Sequence, residues 1–264
     1  MSRMGITEGY RQEARKIGVA EDVIDKALTL NRPRLELRGP ADSMRADSHP
    51  PMGRYGGLPE LPGEVAWTGY PHFIAVVDCA ALPPDALDIP LPREGRLLFF
   101  ADRESAMPGC GGEGEEERAG RVVHVRAGVS VEERQPEESE REQVQEPRPL
   151  YGRVEWHMPG PEDNVFEAEP GMLAFLEQHG LEYLGPGGGI DELTLGGYSL
   201  PVYNDPCTVR WPETGDEAWV LLAQAEYPTG ERSDTHAVTA WMIRRQDLEA
   251  EDFSRVKTVQ EYWH

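Results

Sequence analysis

The sequence predicts an α+β fold of mainly antiparallel sheets, with short helices at the N-terminus. Helical spacing of apolar residues is clearest in the first thirty positions, and short apolar runs bounded by glycine, proline or aspartate follow it. A glycine turn, a buried strand that ends on an acid and an aromatic-rich strand also occur twice. This internal repeat predicts two related strand units, since each copy would need the other to bury its apolar face.

The N-terminal helical segment is predicted to span residues 1–32. Ile6, Tyr10, Ala14 and Ile17 fall at helical spacing, and the pattern resumes after Gly18. Two short helices joined near this glycine fit better than one, because glycine inside a helix costs ~1 kcal/mol. The rest of the chain, residues 33–264, is predicted to form one α+β domain.

The first half of that domain is predicted over about residues 54–112. It contains the glycine turn at Gly56–Gly57 and two core strands, Phe73–Val77 and Leu97–Phe100. Before it, Leu35–Arg38 alternates between apolar and charged residues, as a strand does.

The second half is predicted over about residues 195–264, after an acidic insertion at about residues 113–148. The insertion is rich in glutamate and poor in apolar residues, which predicts a mobile segment in which only Val122–Val125 has strand character. In the second half, the turn at Gly196–Gly197 precedes two apolar strands that contain Trp219 and Trp241.

The formal net charge of −22 is the strongest bulk signal. It argues against nucleic acid or an anionic membrane as partner, since both need a basic footprint, and it favours a basic protein partner. Three widely spaced cysteines are no disulfide framework, and we find neither a signal peptide nor a membrane-spanning run. We therefore expect a cytoplasmic protein with no cofactor.

Two catalytic patterns in the chain are incomplete. Gly109–Gly114 matches the dinucleotide pattern G-x-G-x-x-G, but the glutamates Glu115–Glu117 that follow would repel a pyrophosphate, and no βαβ unit surrounds it. Ser199 lacks the second glycine of a nucleophile elbow, because Pro201 stands at that position. The seven histidines show no metal-ligand spacing, so no metal site is predicted.

A ligand-binding site is the alternative that the residues leave open. Asp234 and His236 form the most site-like cluster, although a polar hairpin turn is the favoured explanation, since aspartate and serine are common turn formers. Arg54 and Tyr55 at the first glycine turn, together with Trp67, can line a groove, although bracing a loop is the commoner role of such residues. These five residues are our predicted ligand-binding set.

The chain resembles the YwqG-like family, a bacterial domain family without an established biochemical function. The resemblance covers most of residues 54–256, and the family's glutamine at the first strand is replaced by Val76, whereas Gln224 is kept. It implies a mixed α+β fold and, because relatives occur near toxin and immunity genes, an interaction role; it implies no catalytic residue. The matching segments are Gly56–Pro62 with Trp67, Phe73–Asp78, Leu82–Pro83, Pro92–Phe100, Leu195–Tyr198, Trp219–Gln224 and Ile243–Val256.

Two functions follow as predictions. The first is a protein-interaction module, of the immunity type, that binds a basic partner through its acidic surface. The second is a small-ligand binder or hydrolase-like enzyme with a cleft between the two strand units. We favour binding over enzymatic activity, because no complete catalytic constellation is found.

Overall fold

The structure is a computed structural model, and it describes ten stretches of the chain. They are residues 3–29, 31–40, 50–67, 72–101, 120–136, 144–157, 178, 192–199, 218–228 and 236–263.

Two helices precede the first strand: α1 (Arg3–Lys16) and α2 (Glu21–Leu28). Gly18 between them has φ +84°, a left-handed conformation that glycine adopts without a steric penalty. Ion pairs from Arg11 and Arg15 to Glu21 hold the two helices together. Helix α1 also contacts strand Arg148–His157, so the helices lie against the outside of the sheet.

Most of the remaining described residues are strands. In chain order these are β1 (Arg32–Arg38), β2 (Gly53–Tyr55), β3 (Glu60–Leu61), β4 (His72–Asp78), β5 (Arg96–Ala101), β6 (Gly120–Val125), β7 (Glu132–Glu133), β8 (Arg148–His157), β9 (Leu193–Leu195), β10 (Trp219–Pro228), β11 (His236–Arg244) and β12 (Lys257–Trp263). A short helix, α3 (Arg245–Glu249), and a 3₁₀ turn at Phe253–Arg255 connect β11 to β12.

Ten of the strands form one sheet in the order β12-β11-β10-β9-β1-β8-β2-β4-β5-β6, and every described pair is antiparallel. The sheet curls until its two edge strands, β6 and β12, come into contact. A Cβ on Gly120 would lie 3.1 Å from Thr258 Cγ2 and 2.8 Å from Trp241 Nε1. We call this meeting of edges the seam; the sheet is therefore a nearly closed barrel.

Apolar side chains fill the inside of this barrel. Leu35 and Leu37 of β1 project inward, and Phe99 meets Trp241 edge-on with ring centroids 5.3 Å apart. Trp241 Nε1 also donates a hydrogen bond of 3.1 Å to the Phe100 carbonyl, which ties β11 to β5 across the seam. A buried indole N–H needs such a partner, so this hydrogen bond is part of what holds the barrel nearly closed.

The predicted fold class, α+β with two related strand units, is wrong. Strands β1 and β8 lie outside both predicted halves, yet β1 pairs with β8 and β9, and β8 pairs with β2. They join ten of the twelve described strands into one sheet, while β3 and β7 pair separately, so a cleft between two units has no structural basis. The two segments share a pattern because buried strands and positive-φ glycine turns place the same local demands on sequence.

No helix among the described residues is long and apolar enough to cross a membrane.

The tight seam predicts that Gly120→Ala destabilises the fold. The added methyl group would lie 2.5 Å from the Phe100 carbonyl oxygen, and overpacking of this kind costs about 2 kcal/mol in the free energy of unfolding. Urea denaturation measures the change. Gly63→Ala is the control, since nothing lies within 4 Å of its added Cβ; equal stability of the two variants would contradict the packing at the seam.

Candidate functional site

The largest described cavity, of about 1020 Å³, is a groove along the seam. Strand β6 forms one wall, and residues 251–257, from the end of α3 to the start of β12, form the other. We call it the seam groove. It exists because β6 and β12 touch near Gly120 and diverge toward Val125, where the chain between β11 and β12 comes between them.

His124 is the central side chain of the groove and is almost fully buried. Its ring packs edge-on against Phe253, with ring centroids 5.2 Å apart. Its Nδ1 lies 3.6 Å from Glu251 Oε2, and its Nε2 lies 3.2 Å from the Glu94 carbonyl oxygen. The imidazole is thus hydrogen-bonded at Nε2 and packed against Phe253, with the Glu251 carboxylate near its Nδ1.

Glu251 occupies a backbone conformation that glycine normally takes. It follows the C-cap of α3 with φ +54°, and its N–H donates to the Leu248 carbonyl at 3.0 Å. A left-handed residue with a side chain costs about 1–2 kcal/mol relative to the right-handed conformation. Strained residues concentrate at functional sites, and this one faces His124 in the largest described groove.

The groove has more positive than negative charge, in contrast to the whole chain. Arg126 and Arg255 are exposed, and Arg255 Nε lies 3.6 Å from Asp252. Arg121 donates a 2.6 Å hydrogen bond to the Ala66 carbonyl, and Lys257 lies 5.3 Å over the Trp219 ring. These four cations face two groove carboxylates, those of Glu251 and Asp252.

Both strands that border the groove are edge strands. In the described part of the chain β6 pairs only with β5, and β12 pairs only with β11. Edge strands carry backbone N–H and C=O groups that can pair with a further strand. The groove therefore combines two sheet edges, local positive charge and a buried imidazole.

Three of the five predicted ligand-binding residues have structural roles. The Arg54 guanidinium donates to the carbonyls of Gly56 and Leu58, so it braces the glycine turn. The Tyr55 side chain is buried in the barrel core, whereas Trp67 packs outside the barrel near Phe100, with ring centroids 6.4 Å apart. Arg54 and Trp67 therefore lie on one face of the sheet and Tyr55 on the other.

Asp234 lies outside the described residues, and of His236 only the backbone, at the start of β11, is described. The joint ligand-binding role of the five residues stays a prediction.

A second polar cluster was not found by sequence reasoning. Arg34 and Glu36 of β1 and Arg153, Glu155 and His157 of β8 lie on the outer face of these two strands, and we call them the charge ladder. Arg34, Glu36 and Glu155 are only 1%, 2% and 3% exposed. The strand pairing places Arg34 opposite Glu155 and Glu36 opposite Arg153. The signal in the sequence that could have revealed this cluster is the alternation of charged residues along both strands.

Burial and the positive charge of Arg34 lower the pKa of His157 to about 3. The imidazole is therefore neutral near pH 7. Its Nδ1 has no hydrogen-bond partner among the described residues.

A smaller cavity, of about 350 Å³, lies at the loop of residues 79–93 and is lined mostly by leucine and proline side chains. Cys79 borders it, and burial raises the pKa of this thiol to about 12. A thiol at this pKa is almost entirely protonated near neutral pH and is a poor nucleophile. In the described part of the chain, no three histidine, cysteine, aspartate or glutamate residues are grouped to hold a metal ion.

A protein-family model matches residues 53–260, and its description is "Domain of unknown function (DUF1963)". The match covers the segment on which the YwqG-like resemblance rests, while the YwqG-like name itself stays a prediction. A search of curated proteins found no match.

If Glu251 is strained, then Glu251→Gly raises the free energy of unfolding by about 0.5–1 kcal/mol, because glycine adopts positive φ without penalty. Chemical denaturation checks this. Asp85→Gly is the matched control, since Asp85 has φ +56° and is also in an ion pair with a neighbouring side chain. Destabilisation by Glu251→Gly alone would show that the contact with His124 outweighs the strain.

The depressed pKa of His157 predicts a loss of stability in acid. Below the ordinary histidine pKa of 6.5, the imidazole of His157 is protonated in the unfolded chain but stays neutral in the folded chain. The free energy of unfolding therefore falls as the pH drops from 6.5 toward 3. His157→Gln cannot be protonated and should show a flatter stability profile between pH 7 and pH 4. Parallel profiles for the two proteins, measured by urea denaturation, would contradict the burial of a neutral imidazole.

Proposed function

The chain belongs to the DUF1963 family, a domain of unknown function, and we propose that it is a protein-binding module that takes an extended segment of its partner into the seam groove. One observation carries the proposal: the ten-stranded sheet curls almost closed but leaves two edge strands facing a groove. The cytoplasmic location predicted from the sequence belongs to the same proposal.

Strand addition suits the geometry of the groove. β6 has six residues, and beyond Gly120, where β12 touches it, a shorter segment can pair with its outer edge in the way that β5 pairs with its inner edge. Backbone hydrogen bonds then supply affinity, and alternate side chains of the segment supply specificity. The groove side chains would contact every second residue of the added strand.

The charge of the groove favours an acidic segment. Arg126 and Arg255 are exposed beside it, and partner carboxylates near them would gain charge-assisted hydrogen bonds. His124 and Glu251, held against each other, would shape the far end of the groove. They would position the segment without reacting with it.

Binding is supported over hydrolysis by the surroundings of His124. The hydroxyl of Ser254, the serine that lines the groove, donates to Asp252 at 2.5 Å. The described contacts of His124 are with Glu251, Glu94 and Phe253, none of which is a hydroxyl or thiol nucleophile.

A second candidate is immunity-type neutralisation of a basic protein. The net charge of −22 supports it, since a strongly acidic surface attracts a basic partner over long range. Exposed carboxylates lie on several parts of the described surface, including Glu8, Asp22, Glu64 and Glu94. This candidate predicts the opposite charge preference from the seam groove.

A peptide titration distinguishes the two candidates. The probes are eight-residue peptides in which valine alternates with glutamate or with lysine, added to isotope-labelled protein. We expect the glutamate peptide to shift the backbone amide resonances of residues 120–125, and the same peptide with alternate backbone nitrogens methylated to have no effect, because it cannot complete the ladder.

Charge reversal at the groove tests the acidic preference. Arg255→Glu should weaken binding of the glutamate peptide by about threefold, the effect of one exposed ion pair. Arg93→Glu is the matched control, since both arginine side chains are 69% exposed and each pairs with one aspartate. Tighter binding of the lysine peptide would favour the second candidate, and absence of shifts in β6 with either peptide would overturn strand addition.

A further inference from the structure

The charge ladder has no part in strand addition, and it lies on the outer face of different strands, β1 and β8. We propose that it binds a small ligand through a carboxamide group, with Arg34 and Glu155 as the two recognising side chains. The proposal is independent of the function of the seam groove.

The internal pairing of the ladder is complete only at Glu36. Its Oε1 accepts from Arg34 Nη2 at 2.5 Å and from Arg34 Nε at 3.0 Å. Its Oε2 accepts from Arg38 at 3.1 Å and from Arg153 at 3.4 Å. Three arginines thus share one carboxylate, and Glu36 has little capacity left for a ligand.

Three other residues of the ladder, Arg34, Glu155 and His157, each keep one polar atom without a hydrogen bond to the described part of the chain. Arg34 Nη1, Glu155 Oε1 and His157 Nδ1 are buried and have no hydrogen-bond partner among the described residues. Arg153 Nε lies 2.7 Å from Glu155 Oε1 as an ion pair, without hydrogen-bond alignment. A buried polar atom left without a hydrogen bond costs about 1–3 kcal/mol, and native proteins rarely tolerate several together.

These atoms lie on one face of the sheet. Arg34 is directly opposite Glu155 in the β1–β8 register, and the next pair on the same face is Arg32 with His157. Directly opposite residues have Cβ atoms about 4.5–5.5 Å apart, so one small group can contact both side chains.

The chemistry of the two main atoms defines the ligand. Arg34 Nη1 is a donor and requires an acceptor, whereas Glu155 Oε1 is an acceptor and requires a donor. A planar carboxamide offers a carbonyl oxygen to the first and an N–H to the second. A carboxylate would be repelled by Glu155, and an amidinium would be repelled by Arg34.

His157 supports a neutral group rather than an anion. With its pKa lowered to about 3 it brings no positive charge at pH 7, so the two arginines of the ladder, Arg34 and Arg153, are balanced by its two glutamates, Glu36 and Glu155. The same outer face continues through Thr194 of β9 and Gln224 of β10, both buried and polar. A ligand larger than its carboxamide group would meet a polar surface there.

The test uses three probes of one shape: acetamide, acetate and acetamidinium. They are titrated into the full-length protein, and the ring resonances of His157 and the Nε resonance of Arg34 are followed by NMR. We expect acetamide to shift both signals in a saturable way, with acetate and acetamidinium at least threefold weaker.

Glu155→Gln provides a change of selectivity that loss of structure cannot mimic. The variant side chain has the same shape but no negative charge, so acetate should then bind about as well as acetamide. Glu132→Gln, at an exposed position of β7, is the control and should keep the original preference. Circular dichroism verifies that both variants are folded. If Glu155→Gln does not fold, His157→Gln takes its place, and it should weaken acetamide binding.

Three results would overturn the proposal: no saturable shift with any probe, equal shifts with all three, or an unchanged preference in Glu155→Gln. The first is the result expected if the ladder holds ordered water only.

Discussion

Closure of a ten-stranded antiparallel sheet at the seam is the constraint on which the rest of the structure depends. Curling the sheet encloses the apolar core, and the hydrogen bond from Trp241 to the Phe100 carbonyl holds β11 against β5. Leu35 and Leu37 of β1 and Leu150 of β8 lie in the core, so Arg34, Glu36 and Glu155, at the alternate positions, lie on the outer face. It is also incomplete, because the chain between β11 and β12 lies where direct pairing of the edge strands would occur. The seam groove and the charge ladder are thus both products of one curled sheet.

Much of the strand content could be predicted from the sequence. Phe73–Val77 and Leu97–Phe100 are apolar runs of strand length, and they form β4 and β5. Strand β8 could not be predicted in the same way, because it contains proline, glycine and three charged residues. Its role is set by partners far away in the chain, β1 and β2, which local patterns do not reveal. Missing this central strand is what made two halves of one sheet look like separate units.

The candidate sites, too, depend on contacts between distant parts of the chain that local sequence patterns do not reveal. His124 lies in a short apolar run, which predicted a strand but not the contact with Glu251, more than a hundred residues later. Arginine and tryptophan beside a turn can bind a ligand or make structural contacts; Arg54 contacts the glycine turn and Trp67 a small outer core, and their ligand-binding role stays a prediction. Exposure separates these roles, and exposure depends on tertiary packing rather than on residue type.

Strand β1 has a consequence for how the protein is made. Its two neighbours in the sheet, β8 and β9, both follow it by more than a hundred residues, as the pairing of Arg38 with Tyr151 shows. During synthesis on the ribosome, β1 therefore has neither of its pairing strands until most of the chain has been made. Such long-range pairing raises the contact order and slows folding. The central strand β1 is thus among the first strands to be synthesised, while its pairing depends on segments that are made much later.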